Sequence, residues 1–83
     1  MKSMNILQLT KDELIGEPEA RTLVMNKSIM SFNVKITDKT ANLNTGNKFD
    51  YENVLYEIMN RESVDAPINY IKLNCVRKPS NPV

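Results

Sequence analysis

Residues 49–62 read FDYENVLYEIMNRE, and the way this stretch folds decides how the rest of the chain is organised. Its apolar residues Tyr51, Val54, Leu55, Ile58 and Met59 fall at i, i+3, i+4, i+7 and i+8, the spacing that gathers side chains on one face of a 3.6-residue helix. The flanks agree with a helix. Asp50 can cap free backbone N–H groups, Glu52 suits the positive end of the dipole, and Phe49 before the cap can staple onto Val54. Glu57 and Arg61 stand one turn apart and would pair on the wet side. Ser63 to Pro67 reads as a connector, because the residue before a proline is pushed out of the helical region. The stretch is therefore predicted to be an amphipathic helix laid over the only core.

On its N-terminal side the period changes to two. Met30, Phe32, Val34 and Ile36 alternate with Ser31, Asn33, Lys35 and Thr37, the pattern of a half-buried strand. Asp38-Lys39 as a two-residue turn would set Ile36 opposite Ala41 and Val34 opposite Leu43, which predicts a β-hairpin. Asn44 to Asn47 is a loop by composition. On the C-terminal side, Ile68 to Val76 places Ile71, Leu73 and Cys75 on one face and Tyr70, Lys72 and Asn74 on the other, as a further strand. Residues 79–83 are expected to be a loose tail, since Pro79 and Pro82 lack ladder donors.

The N-terminal third is less regular. Met4 to Leu9 is a short apolar segment, suited to an edge strand or a packed arm. Thr10 and Glu13 form a capping box, with Leu9 placed to staple onto Leu14, and Gly16 and Pro18 limit the helix to one or two turns. For residues 19–27, Pro18 and the spacing of Ala20, Leu23 and Val24 favour a helix, while Thr22, Val24 and Asn26-Lys27 suit a strand and turn. The reading leans to helix. Together these elements predict one small α+β domain spanning residues 1–83: an antiparallel sheet of about three strands (the hairpin plus the C-terminal strand) packed against one amphipathic helix, with a short N-terminal helical region. Its core would hold Phe32, Val34, Ile36, Leu43, Val54, Leu55, Ile58, Ile71 and Leu73.

Composition narrows function mainly by exclusion. Eighty-three residues allow one domain with little core to spare, so self-association into a homo-oligomer would usefully bury more surface. Eleven Lys and Arg against ten Asp and Glu give a net charge of +1, which selects no polyanionic partner. The single cysteine, Cys75, forms no internal disulfide and suits a reducing, cytoplasmic setting, and no apolar run is long enough to span a membrane. Eleven Asn, eight Lys and seven Ile against three Ala suggest AT-rich coding of the kind seen in phages and mobile elements.

The chain has no histidine, which removes the usual general base and the commonest metal ligand. Cys75 sits in an apolar strand pattern and reads as an inert thiol, and Asp50 and Glu52 already have a role at the start of the predicted helix. No catalytic residue, metal site or cofactor is expected. Tyr56, off the apolar stripe of its helix, and Tyr70, on the wet side of its strand, read as exposed anchors with Arg61 and Lys72 nearby. The resulting expectation is a non-enzymatic protein-binding module, such as a phage or mobile-element accessory factor or inhibitor that occupies a surface of a larger protein. The alternative is a nucleic-acid binder using Lys35, Lys72, Arg77 and Lys78 on a basic sheet face.

Overall fold

The computed structural model describes residues 6–22 and 28–79. It contains six strands and a single 3-10 turn at Lys11–Glu13, with no α-helix among the described residues. The strands are β1 (Leu7–Leu9), β2 (Glu19–Thr22), β3 (Ser28–Lys35), β4 (Lys48–Tyr51), β5 (Val54–Val64) and β6 (Tyr70–Lys78). They form one sheet in the order β1-β4-β5-β6-β3-β2, antiparallel except where β1 runs parallel to β4.

The helix expected over 49–62 is a β-hairpin. Phe49 pairs with Tyr56 and Tyr51 with Val54 across a two-residue turn, in which Glu52 and Asn53 take left-handed φ angles of 52° and 65°. Positive φ at both turn residues matches the right-handed twist of the flanking strands. Inserting two turn residues between Tyr51 and Val54 converts a period of two into a spacing of three. Tyr51, Val54 and Ile58 therefore fit both a helical stripe and the inner face of a hairpin. The strand reading puts Phe49, Tyr51, Tyr56 and Ile58 into the core, whereas Val54 and Leu55 are only half-buried and Met59 is exposed. The expected Glu57–Arg61 pair is absent: Glu57 binds Lys78 at 3.3 Å, and the Arg61 guanidinium donates weakly to the carbonyl of Ala41 at 3.4 Å.

The second hairpin is absent as well. β3 pairs with β6 on one side, setting Val34 opposite Ile71, and with β2 on the other. Asp38-Lys39 supplies neither glycine nor asparagine for a turn with positive φ, and threonine hydroxyls compete successfully for the local backbone. The Thr37 carbonyl accepts the N–H groups of Thr40 and Ala41 at 3.1 and 2.8 Å. Fully buried Thr40 donates its hydroxyl to the Lys35 carbonyl at 2.6 Å. The chain is thereby bent off the sheet. Ile36 is left 48% exposed, while Leu43 still reaches the core from a loop.

Residues 19–22, where a helix was favoured, form edge strand β2, and Leu23 to Lys27 lie outside the described residues. The N-terminal helical region is only the 3-10 turn. Its reciprocal bond is present, with the Thr10 N–H donating to Glu13 Oε1 at 2.8 Å. Gly16, at φ +74°, then turns the chain in a way that most side chains resist. The expected C-terminal strand is observed at Tyr70–Lys78, with Ile71, Leu73 and Cys75 fully buried. The tail expected over 79–83 lies outside the described residues beyond Pro79.

Chain length shows that the sheet is curled. The chain leaves one edge at Leu9 and rejoins the far side at Leu14, which bridges Val34, while the Ile15 N–H donates to the Asn33 carbonyl at 2.7 Å. Five residues reach at most about 17 Å, whereas five strand spacings of a flat sheet need about 24 Å. The sheet must bend into an incomplete barrel that the 10–18 linker straps shut. Lys39 reinforces the strap through an ion pair with Glu13 at 2.9 Å. Inside the curl sit Leu9, Leu14, Phe32, Val34, Leu43, Phe49, Tyr51, Tyr56, Ile58, Ile71, Leu73 and Cys75.

Candidate functional site

Phe32 is the hub of the interior. The rings of Phe49, Tyr51 and Tyr56 meet it edge-on, with centroids at 5.1, 5.4 and 4.9 Å. This geometry adds aromatic attraction to area burial and fixes ring orientation. Tyr51 and Tyr56 lie either side of the β4–β5 turn on one face, so their hydroxyls emerge together where that turn meets the linker strap. Neither hydroxyl has a hydrogen-bond partner among the described residues, and neither is sealed from solvent.

Both tyrosines line a groove of about 430 Å³, with Met30 and Pro18 contributing apolar surface and Lys11, Glu17 and Glu52 contributing charge. A smaller hollow of about 160 Å³ shares Met30 and Tyr56 and adds Ala20 and Arg77. The groove is of a size that ligand-binding clefts occupy. Burial raises both phenols above their ordinary pKa. The Glu52 and Glu17 charges push Tyr51 further up, while Arg77 opposes the rise at Tyr56. Both hydroxyls are thus held protonated as donors at neutral pH. Another hollow, of about 460 Å³, lies between Leu7 and the 39–48 segment, but Lys39, Asn42, Asn47 and Lys48 line it without an aromatic side chain.

The four residues expected to anchor a partner do not converge. Tyr56 is 7% exposed, its ring in the core and only its hydroxyl at the groove. Arg61 also faces inward, because the register slips between Ile58 and Asn60, leaving Met59 as an extra residue and setting Arg61 opposite Leu73. Its Nε is buried without a partner. Tyr70 and Lys72 lie on the opposite, convex face, where Tyr70 stands between Val64 and Lys35, and Lys72 between Glu62 and Asn33. A polar ladder continues that face. The Ser31 hydroxyl donates to Asn74 Oδ1 at 2.6 Å, and Asn74 Nδ2 donates to Asn60 and Glu62 at 3.2 and 3.3 Å.

Of the four cations of the alternative reading, Lys35, Lys72 and Lys78 share the convex face, Lys35 and Lys72 as diagonal neighbours across the β3–β6 pair, but each stands beside an acceptor or an acid. Lys35 donates to the Asp12 carbonyl at 3.0 Å, Lys78 pairs with Glu57, and Glu62 stands across from Lys72. Arg77, opposite Tyr56, faces the groove rather than the convex side. Fully buried Cys75 has its thiol pushed up to about 12 by burial, far from a neutral-pH nucleophile. No cluster of three or more His, Cys, Asp or Glu suited to a metal ion occurs among the described residues. No described helix is long and apolar enough to cross a membrane.

Sequence reasoning missed Tyr51, Met30, Glu17, Pro18 and Lys11 as neighbours of Tyr56. The available signal was Tyr51 directly before and Tyr56 three residues after Glu52-Asn53, positions that share a face once that dipeptide is read as a turn. Comparison with protein-family models, with curated proteins and with solved structures found no match.

Proposed function

We propose that this chain is a non-enzymatic protein-binding module that holds an extended segment of a partner protein in the groove between the linker strap and the Tyr51 and Tyr56 rings. The observation that supports this is the pair of otherwise buried rings presenting unpartnered hydroxyls at a groove floored by Met30. Rigid aromatic bodies with one polar tip offer contact area and a hydrogen bond at little entropic cost, which is why they recur as interface anchors. As an accessory factor or inhibitor, such a protein would act by occupying a surface, without turning over a substrate. A reducing, cytoplasmic setting fits its single buried thiol.

The test is peptide display against the wild type and against Tyr51→Phe/Tyr56→Phe, which keeps both rings in the core and removes only the hydroxyls. Two hydrogen bonds at roughly 0.5–1.5 kcal/mol each predict a loss of about 5- to 160-fold in affinity for the selected peptides. Tyr70→Ala/Lys72→Ala, on the convex face, should leave affinity unchanged. If the double phenylalanine variant binds as well as the wild type while the convex-face variant does not, the groove is the wrong surface. The nucleic-acid alternative predicts instead an affinity that falls steeply with salt.

A further inference from the structure

Resting on the groove reading, we infer that the groove is electrically polarised and takes an extended peptide bearing a basic residue at its Tyr51 end and a carboxylate at its Tyr56 end, seated on Arg77. At the Tyr51 end, Glu17 and Glu52 both line the cleft against the single Lys11. At the Tyr56 end, Arg77 is the one charged side chain lining the smaller hollow, and it forms no ion pair among the described residues. The two hydroxyls register the same asymmetry: Glu52 acts on both, Glu17 acts on Tyr51, and Arg77 acts on Tyr56, where it is the charge felt most strongly.

Spacing follows from the aromatic cluster. Both tyrosine rings pack on Phe32, with centroids 5.4 and 4.9 Å away, so they lie within about 10 Å of each other. An extended chain advances about 3.3 Å per residue, so at most about three ligand residues span the two rings, and the charges that flank that span stand no more than about four positions apart. The apolar residue between them rests on Met30. A guanidinium with an unclaimed fork of donors takes a carboxylate in two parallel hydrogen bonds, which favours an acid over a neutral polar group at that position.

The experiment is selection from a random-octapeptide library displayed on phage, run in parallel on the wild type, Arg77→Glu and Glu17→Lys/Glu52→Lys. All three substituted residues are exposed, and circular dichroism checks that each variant is folded. The wild type should enrich peptides with an acidic and a basic residue no more than about four positions apart. Arg77→Glu should invert the preference at the acidic position alone, and the double lysine variant at the basic position alone. A synthetic winner with its Asp changed to Asn should bind the wild type about tenfold more weakly and Arg77→Glu no more weakly. Peptides that depend on the tyrosine hydroxyls yet show no charge pattern would overturn the polarity and leave the groove standing. Absence of any hydroxyl-dependent peptide would overturn both. Enrichment of segments of this chain, with concentration-dependent dimers on sedimentation, would make the occupant a second copy and likewise overturn the assignment.

Discussion

Cys75 and the two groove tyrosines set how the fold responds to alkali. The Cys75 thiol is neutral in the folded state and pushed up to about 12, against an ordinary value of 9, because no exposed path remains to solvate a thiolate. A raised acid pKa means that its contribution to stability is complete below pH 9 and is lost as pH climbs towards 12. Tyr51 and Tyr56 are raised from 10 by burial, so they add to the same loss above pH 10. Stability from urea titration should therefore stay level near neutrality and fall from about pH 9 upward, by at most about 1.4 kcal/mol per pH unit for Cys75 and by less for the two tyrosines, whose hydroxyls reach solvent. Cys75→Ala should delay the onset of the fall to about pH 10, and an unchanged onset would show that another group governs it. Residue character predicted the burial of Cys75. It could not place Tyr56, because an aromatic side chain off a helical stripe is exposed, whereas the same side chain on the alternate face of a strand is buried.

At the scale of elements, the β4–β5 hairpin shows where sequence and fold part company. Glu52 occupies a left-handed conformation that costs a non-glycine residue about 1 kcal/mol or more, and Asn53 tolerates it better. Changing the turn to Asn-Gly by Glu52→Asn/Asn53→Gly is expected to raise stability by about 1 kcal/mol, read as a higher urea midpoint at unchanged m-value. If these residues were instead the first turn of a helix, the same glycine would lower stability by a similar amount, so the sign of the change discriminates the two. The second half of β5 has its own logic. Past Met59, residues Asn60 to Val64 pair with β6, and no described strand lies on their other side. Arg61 and Glu62 within that run and the bulge before it are features that deter edge-to-edge association.

The molecule as a whole is one core enclosed by one sheet. Phe32 contacts three aromatic rings drawn from β4 and β5, which are themselves tied to β1 at one edge. Phe32→Ala should cost about 3–5 kcal/mol, a large share of the 5–15 kcal/mol available to an ordinary domain. Near-UV and far-UV signals are expected to be lost together in urea, at a much lower midpoint than in the wild type. Separate transitions for the two signals would mean that the strap and the sheet unfold independently. Closure also depends on distant partners, since Leu7 pairs with Phe49. Such non-local pairing predicts slower folding than a helical domain of this size would show.

Local pattern determined a good deal. The alternation of residues 30–36 and 70–76 specified two strands and the inward set Phe32, Val34, Ile71, Leu73 and Cys75, because a period of two on β-branched and aromatic residues has few other readings. The reciprocal bond between Thr10 and Glu13, and the turn at Gly16, followed from side-chain chemistry within a few residues. Tertiary structure alone decided three further matters: whether 49–62 is helix or hairpin, which strands flank β3, and which face Arg61 takes. In the first, one apolar pattern fits a 3.6-residue period and equally a two-residue period broken by a turn, so local propensity is nearly silent. In the others, the outcome is set by the strap that joins the far side of the sheet at Leu14 and by the extra residue at Met59, which reverses every side chain after it. The groove exists only because these distant choices bring the linker, β3 and the hairpin turn together.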